Sequence, residues 1–328
     1  MGTAIAGIVI VVVTGALIAW VRSIAVLALI TLCAFARAAP APSAVPASME
    51  EITVASQGAR MNGLLYLAAG SQPRPVVIFL HGFPGNERNL DLAQAVRRAG
   101  YQALYFNYRG SWGSGGVFSF THGLEDVAAV IAWVRDPANA AKYRLDPRRV
   151  AVAGHSYGGW LALMSMGREA PRVCVAGLAA WNLGWAAQRF EAHPDERADS
   201  LADMRGATQE TDGPLRASVQ DLLAEMQTHA NEWNYLSQAA ALKDHALLLV
   251  GAQRDTPDED VVQLASLAQA VRAAGGHQIR LLSYDDDHPF SSHRLELARA
   301  LTQWLDGDCA KAQKVQEAQE AQEAQAAR

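Results

Sequence analysis

The segment GHSYG (residues 154–158) places one serine between two glycines, after the small apolar run VAVA and before the helical run WLALMSM. A serine hydroxyl is a weak nucleophile at neutral pH unless an imidazole takes its proton and a carboxylate orients that imidazole. A buried strand, a tight turn and a helix form the context in which such a serine is raised for attack. Gly154 and Gly158 leave room for the turn. The pattern therefore predicts that Ser156 is a nucleophile.

Two later segments offer the carboxylate and the imidazole that Ser156 needs. Asp255 is the first carboxylate after the apolar run HALLLVG, and His288 follows the apolar run QIRLLSY in the loop DDDHPF. Serine, acid and histidine in this chain order, with the last two just past the ends of strands, form one of the known arrangements of a catalytic triad. The sequence predicts Asp255 as the acid and His288 as the base, with residues 285–287 as a solvated acidic rim.

The assignment of the acid and the base has alternatives in the neighbouring residues. Asp255 could instead cap the helix that follows it, which would leave Asp258 or Glu259 as the acid. His293 falls inside the predicted last helix, where a surface position is expected, so His288 is the preferred base.

The oxyanion of a tetrahedral intermediate needs backbone N–H donors. The N–H of Tyr157, directly after the serine, is predicted to be one of them. The second is predicted in the loop FLHGFPGNERN (79–89), whose glycines and proline fix a non-helical backbone and whose natural donor is the N–H of Phe83. His81 is expected to hold this loop rather than to act as a base, because it precedes Ser156 in the chain.

The glycine-rich loop NYRGSWGSGG (107–116) resembles a phosphate cradle only in composition, because no Gly-Lys-Ser/Thr follows it and no G-x-G-x-x-G spacing fits. The sequence instead predicts a loop at the rim of the site, with Tyr108 and Trp112 near the substrate. Trp181 and Trp185, farther along the chain, are predicted to line the same substrate site.

The elements that must position these residues are read from short, continuous apolar runs, which are typical of strands buried on both faces of a parallel sheet. Helical stretches alternate with these runs, so we expect an α/β fold with a doubly wound, mostly parallel sheet behind a leading antiparallel pair. Residues 181–240 contain no strand-like run and predict a helical insertion, either a lid or an extra packing layer with core tryptophans. The predicted strands are EITVAS, GLLYLAA, PVVIFL, QALYFNY, RVAVAG, VCVAGLAA, HALLLVG and QIRLLSY.

The ends of the chain differ from the body in composition. Residues 1–38 predict a signal peptide cleaved after Ala38 or, alternatively, an uncleaved membrane anchor, so we expect a periplasmic or secreted protein or a membrane-anchored one. Residues 39–50 predict a Pro/Ala/Ser linker and residues 51–307 one domain. The Glu-Ala-Gln repeats of residues 308–328 lack an apolar seam, so a solvated helix or disorder is expected there.

The composition excludes several classes of protein. The 328 residues carry a formal net charge of −5, which gives no reason to expect nucleic-acid binding. Cys33, Cys174 and Cys309 are too few for a disulfide scaffold or a zinc site, and whether Cys174 and Cys309 pair is left open. No metal or cofactor is expected.

The motifs HGFPG, GHSYGG, GAQRD and DDDHPF, in this order, resemble those of the α/β-hydrolase superfamily. The loop 107–116 before a GLEDVAAVIAWVRD helix is similar to the branch that holds dienelactone-hydrolase-like enzymes and the catalytic domains of prolyl-oligopeptidase-type peptidases. This resemblance implies a Ser156–Asp255–His288 triad, an oxyanion hole of the Phe83 and Tyr157 N–H groups, and an acyl-enzyme. In the peptidases a tyrosine of the YRG region can aid the oxyanion, and Tyr108 is the matching position.

The function expected from the residues and the resemblance is hydrolysis of a small carboxylic ester. The alternatives are a peptidase or amidase acting on small peptides, although the chain lacks the propeller domain of the larger peptidases, and an acyltransferase. A binding protein without chemistry is disfavoured because the nucleophile, acid, base and oxyanion loop are all present.

Overall fold

Residues 45–166, 173–255 and 260–326 are described by the computed structural model of the protein. The predicted signal peptide or anchor (1–38) and the first half of the predicted linker (39–44) lie outside these residues, as do the alternative acids Asp258 and Glu259. Of the helices within the described ranges, none is both long and apolar enough to cross a membrane.

The described part of the chain forms an eight-stranded sheet. Its strands are β1 (Ser48–Ser56), β2 (Ala59–Leu67), β3 (Arg74–Leu80), β4 (Gln102–Phe106), β5 (Leu145–His155), β6 (Val173–Leu178), β7 (Leu247–Ala252) and β8 (Ile279–Tyr284). They lie in the order β1-β2-β4-β3-β5-β6-β7-β8. The β1–β2 and β2–β4 pairs are antiparallel and the other neighbouring pairs are parallel, which confirms the predicted sheet.

The central strands of the sheet are buried on both faces, as their continuous apolar runs predict, whereas β1 and β8 at its edges are partly exposed. Every residue of β4, β6 and β7 is buried. Along β3, Val76 and Ile78 belong to one apolar cluster and Val77 and Phe79 to a second. Since successive side chains of a strand point to opposite faces, the two clusters are the cores above and below the sheet.

Helices cover both faces between the strands. They are α1 (Leu90–Arg98), α2 (Phe120–Arg135), α3 (Pro137–Tyr143), α4 (Tyr157–Met166), α5 (Leu183–Arg189), α6 (Pro194–Ala207), α7 (Val219–Thr228), α8 (Ala239–Leu242), α9 (Asp260–Ala273), α10 (Arg294–Trp304) and α11 (Ala310–Ala326). All residues of α4 are buried, so this helix lies inside the fold directly behind Ser156.

The segment between β6 and β7 is helical, as predicted for residues 181–240, and holds α5 to α8. Part of it is a packing layer: Trp233 is buried, its ring lies 5.3 Å from that of Trp160, and its carbonyl accepts a hydrogen bond from the Trp160 indole N–H at 2.8 Å. Helix α6 instead borders the cavity described below.

Secondary structure crosses two of the predicted boundaries. The linker does not reach residue 50, because β1 begins at Ser48 and pairs there with Leu67. The tail does not separate at residue 308, because α10 continues through a π-helical turn, Leu305–Cys309, into α11. The side chain of buried Gln313, in the first turn of α11, donates to the Val150 carbonyl of β5 at 3.1 Å. A polar contact therefore holds the start of this helix against the sheet, although its sequence has no apolar seam.

The pairing that the sequence left open is formed: Cys174 of β6 and Cys309 are joined in a disulfide with their Cα atoms 5.7 Å apart. Both residues are buried. The cross-link spans 135 residues of sequence, so it removes many conformations from the unfolded chain.

We expect the variant with both Cys174 and Cys309 replaced by alanine to unfold more easily than the wild type. Loss of the cross-link should lower the free energy of unfolding by about 3 kcal/mol and the Tm by about 10 °C. Thermal unfolding with and without a reducing agent checks this, because reduction should lower the Tm of the wild type but not that of the variant. Equal Tm values for the two proteins would contradict it.

Candidate active site

Ser156 occupies the sharp turn between β5 and α4, with φ of +57°. This left-handed conformation is uncommon for a residue with a Cβ and is typical of a serine held up on a strand-to-helix turn. A Cβ at Gly154 would overlap the Gly158 carbonyl, and one at Gly158 would overlap that of Leu80, so both glycines are required by close backbone approach. The Ser156 N–H donates to the Leu178 carbonyl of β6 at 2.9 Å, which anchors the turn to the sheet.

Tyr157 is the first residue of α4, so its N–H lies beside the serine at the positive end of the helix. Its side chain is fully buried, with its ring 5.5 Å from that of Tyr108 and 5.4 Å from that of Phe120. This packing fixes the backbone at the position predicted for one oxyanion donor.

Asp255 and His288 meet at the carboxyl ends of β7 and β8. The Nδ1 atom of His288 is hydrogen-bonded to Oδ2 of Asp255. A carboxylate accepts, so Nδ1 carries the proton, and Nε2 is then the nitrogen with a lone pair for an incoming proton. The imidazole is 38% exposed and the carboxylate 16%, so the pair is open to a substrate on one side.

The loop that carries His288 is anchored by Asp286. Of the three aspartates predicted to form a solvated rim, Asp285 is exposed, whereas for Asp286 the prediction is wrong. Asp286 is fully buried and accepts hydrogen bonds from the N–H groups of Ser292 and His293 and from His293 Nδ1. Burial acts to raise the pKa of Asp286, but the hydrogen bonds from His293, Asp287 and Ser292 outweigh it and hold the pKa at about 2. His293 lies just before α10 rather than within it.

A cavity of about 560 Å³ lies over these groups and is bordered by Ser156, Asp255 and His288 together. Phe83 and Pro84 of the HGFPG loop and several residues of α6 line it. Within the described residues, no three His, Cys, Asp or Glu side chains group as metal ligands would. The other lining residues are Phe83, Pro84, Asn86, Ala179, Ala180, Trp181, Asn182, Trp185, Ser200, Ala202, Asp203, Met204, Gly206, Ala207, Asp260 and Gln263.

The four residues predicted to contact substrate separate into two pairs. Trp181 and Trp185 line the cavity, whereas Tyr108 and Trp112 do not. Tyr108 is fully buried and its hydroxyl donates to the His81 carbonyl at 2.9 Å. The Trp112 indole N–H donates to the Pro84 carbonyl at 2.7 Å. Tyr108 and Trp112 therefore both hydrogen-bond to the HGFPG loop, and direct aid of Tyr108 to the oxyanion stays a prediction.

Phe83 is half-buried and borders the cavity beside Ser156, which is where the second oxyanion donor is predicted. His81 lies behind it, 1% exposed, and its Nδ1–H donates to the Gly82 carbonyl at 2.7 Å. Burial lowers the pKa of His81 to about 4, assisted by the nearby Arg88 and opposed by the hydrogen bond to Gly82. A neutral His81 that hydrogen-bonds within its own loop agrees with the expectation that it holds this loop rather than acts as a base.

The buried histidines predict a loss of stability in mild acid. The pKa of His81 is lowered to about 4 and that of His155 to about 3, in both mainly by burial, from an ordinary value of 6.5. Below pH 6.5 the unfolded chain therefore binds protons that the folded chain does not. We expect the free energy of unfolding to fall by about 1.4 kcal/mol per pH unit for each histidine as the pH decreases from 6.5 towards 4.

Urea unfolding at pH 7, 6 and 5 measures this dependence. A matched variant, His155→Gln, lacks one of the two titrating groups and should show a shallower decline. A free energy of unfolding that stays constant or rises from pH 7 to pH 5 would contradict the assignment of both side chains as neutral in the folded protein.

The comparisons with known proteins agree with this architecture. Residues 77–305 match the model of the Alpha/beta hydrolase family. The chain therefore belongs to the α/β-hydrolase family and is a hydrolytic enzyme by class. The esterase Pf2001 from Pyrococcus furiosus has a similar fold, with a TM-score of 0.58 and 17% sequence identity over 79% of this chain and 91% of that one.

Two curated relatives are similar to this chain over shorter stretches. An uncharacterized protein of Mycobacterium tuberculosis is 29% identical over 133 residues, which are 39% of this chain and 46% of the relative. The uncharacterized peptidase YuxL of Bacillus subtilis is 32% identical over 130 residues, which are 36% of this chain and 20% of the relative. The matches therefore span less than half the length of these relatives.

Proposed function

We propose that the protein is a serine hydrolase that cleaves a small carboxylic ester through an acyl-enzyme intermediate. The observation that carries this proposal is the Asp255–His288 hydrogen bond at the same cavity as Ser156, which stands on a strand-to-helix turn. Nucleophile, base and orienting carboxylate at one site are the requirements for activating a serine hydroxyl.

In the first half of the proposed reaction, Ser156 Oγ attacks the ester carbonyl carbon and its proton passes to His288 Nε2. The carbonyl oxygen becomes an oxyanion that the N–H groups of Phe83 and Tyr157 stabilise. The intermediate then collapses, the bond to the leaving oxygen breaks, and His288 returns the proton to the departing alcohol. Asp255 stabilises the imidazolium while it exists.

In the second half, water attacks the acyl group on Ser156 and His288 Nε2 takes the proton of that water. The second tetrahedral intermediate releases the carboxylic acid, and the proton on His288 returns to Ser156 Oγ. The same donors and the same base therefore serve both halves, and neither a metal nor a redox cofactor takes part in the proposed chemistry.

The cavity fits a small-molecule ester rather than a long polymer. Its volume of about 560 Å³ lies within the range of small-ligand sites. The second half of α6 borders it and forms a wall, through Ser200, Ala202, Asp203, Met204, Gly206 and Ala207. We propose that this wall, with Trp181 and Trp185, selects the acyl and alcohol groups.

A peptidase is the second candidate, supported by the partial identity to the peptidase YuxL. Matched p-nitrophenyl esters and aminoacyl p-nitroanilides separate the two activities. We expect kcat/KM for the best ester to exceed that for the best anilide by at least about 100-fold. A preference for the anilide would favour the peptidase, and product transfer to an added alcohol in place of hydrolysis would favour an acyltransferase.

We also propose that the protein is exported and cleaved after Ala38. The Cys174–Cys309 disulfide supports an oxidising compartment, where such bonds form and persist. N-terminal sequencing of the protein from the periplasm or the medium should give a mature chain that begins at Ala39. A membrane fraction that retains Met1 would favour the anchor instead.

A further inference from the structure

His155, the residue directly before Ser156, has no part in the proposed chemistry but contacts the base. Its Nε2 lies 2.8 Å from the main-chain oxygen of His288, and the two imidazole rings are 4.6 Å apart at 52°. His155 is 3% exposed and does not border the cavity. The contact therefore joins a buried side chain of the turn that holds Ser156 to the backbone of residues 285–290, the loop that carries His288 and is called the base loop below.

This contact joins two parts of the sheet that do not pair. His155 is the last residue of β5, His288 follows β8, and β6 and β7 lie between these strands. Asp286 anchors the base loop to the start of α10. The hydrogen bond from His155 fixes the same loop on the side of the serine.

The hydrogen-bond partner determines which ring nitrogen of His155 carries the proton. A carbonyl oxygen can only accept, so Nε2 carries the proton and Nδ1 is the bare nitrogen. Nδ1 is buried and has no hydrogen-bond partner among the described residues. It packs beneath the HGFPG loop, since a Cβ built on Gly82 would lie 3.5 Å from Nδ1 and 3.1 Å from the Ser156 Cβ. The ring of His155 thus fills the space between the HGFPG loop and the base loop.

The surroundings of His155 keep it neutral. Burial is the main cause of its low pKa, His288 and Arg294 lower the pKa further, and the hydrogen bond to His288 and the charge of Asp255 oppose them. A second proton would reside on Nδ1, where no acceptor is available. His155 is therefore a fixed donor and not an alternative base.

We propose that His155 is a positioning residue that holds the backbone of His288 so that its imidazole stays in register with Ser156. The proposal rests on the proposed function, in which His288 Nε2 exchanges a proton with Ser156. Catalytic groups displaced by about 1 Å can lose about 100-fold in rate without loss of substrate binding. The effect of losing this hydrogen bond should therefore appear in kcat and not in KM.

Two variants of similar size separate the hydrogen bond from packing. His155→Gln keeps an N–H donor at nearly the position of Nε2, and His155→Met fills similar space without a donor. For a p-nitrophenyl ester we expect H155M to lower kcat by about 30-fold with KM within about twofold, and H155Q to retain at least a third of kcat. Equal losses in the two variants would overturn the proposal, because packing alone would then explain them.

A second readout covers variants that fold poorly. The rate of labelling by a fluorophosphonate, measured on the folded fraction, should fall in H155M in parallel with kcat. If H155M does not fold, His155→Asn, whose donor is too short to reach the carbonyl, should show the same loss. Full kcat in either variant would overturn the proposal. Failure of the proposed function is distinguishable, because Ser156→Ala would then keep its activity whatever the His155 variants do.

Discussion

Replacing Ser156 with alanine is expected to lower kcat for a p-nitrophenyl ester by at least about 10⁴-fold. The alanine removes the only atom that forms the proposed acyl bond, and donors and binding residues alone leave a small residual rate. KM of the residual reaction should change little, since the cavity wall is intact. Steady-state kinetics on the purified variant, with its Tm to establish folding, measure the effect.

The matched control for this prediction is Ser165→Ala. Ser165 is buried in the same helix that follows the turn and does not border the cavity, so the same chemical change falls outside the site. It should leave kcat within about twofold. A Ser156→Ala protein that retains more than about 1% of wild-type activity would contradict the role of the serine as nucleophile.

Replacing Asp255 with asparagine is expected to lower kcat by about 10³ to 10⁴-fold, with a folded protein. The amide is nearly the same size as the carboxylate, but it carries no charge to stabilise the imidazolium and can donate to His288 Nδ1. Such a donor favours the tautomer with the proton on Nε2, which cannot then accept one from Ser156. Activity measured from pH 6 to pH 9 tests this, because the loss should persist across the range.

Asp285→Asn is the control for the change of charge. Asp285 precedes His288 by three residues, its side chain is 72% exposed, and it pairs with Arg254, so the substitution should alter kcat by less than about twofold. If Asp255→Asn kept full activity, the acid would have to be another residue. Asp258 and Glu259, the alternatives that the sequence left open, would then be the first variants to make.

The sheet was predictable from the sequence because its central strands are buried on both faces. The sequence of such a strand contains an unbroken apolar run, and this pattern is present in β3, β5, β6 and β7. The contact between Asp255 and His288 was also predictable, since parallel strands bring the residues after their carboxyl ends to one edge.

Side-chain direction within loops was not predictable in the same way. Three aspartates precede His288, and nothing in their sequence indicates that Asp286 turns inward to bind the N–H groups of Ser292 and His293. The sequence does not indicate a partner for the Tyr108 hydroxyl, and only the fold shows that it donates a hydrogen bond to the His81 carbonyl. Loop backbones follow from tertiary contacts and not from periodicity.

The tail gives a third example of the same limit. Its Glu-Ala-Gln repeats correctly favour a helix, but the contacts that anchor its start come from single residues. Cys309 reaches Cys174 and Gln313 reaches the backbone of β5, and neither contact leaves a repeating pattern in the sequence.

Mass spectrometry of the protein treated with a fluorophosphonate tests the central claim most directly, that Ser156 is activated by His288. We predict one adduct per chain, on the peptide that contains Ser156, and labelling at least about 100-fold slower in His288→Gln. A folded wild type that forms no adduct, or an adduct on another residue that persists in Ser156→Ala, would contradict the claim.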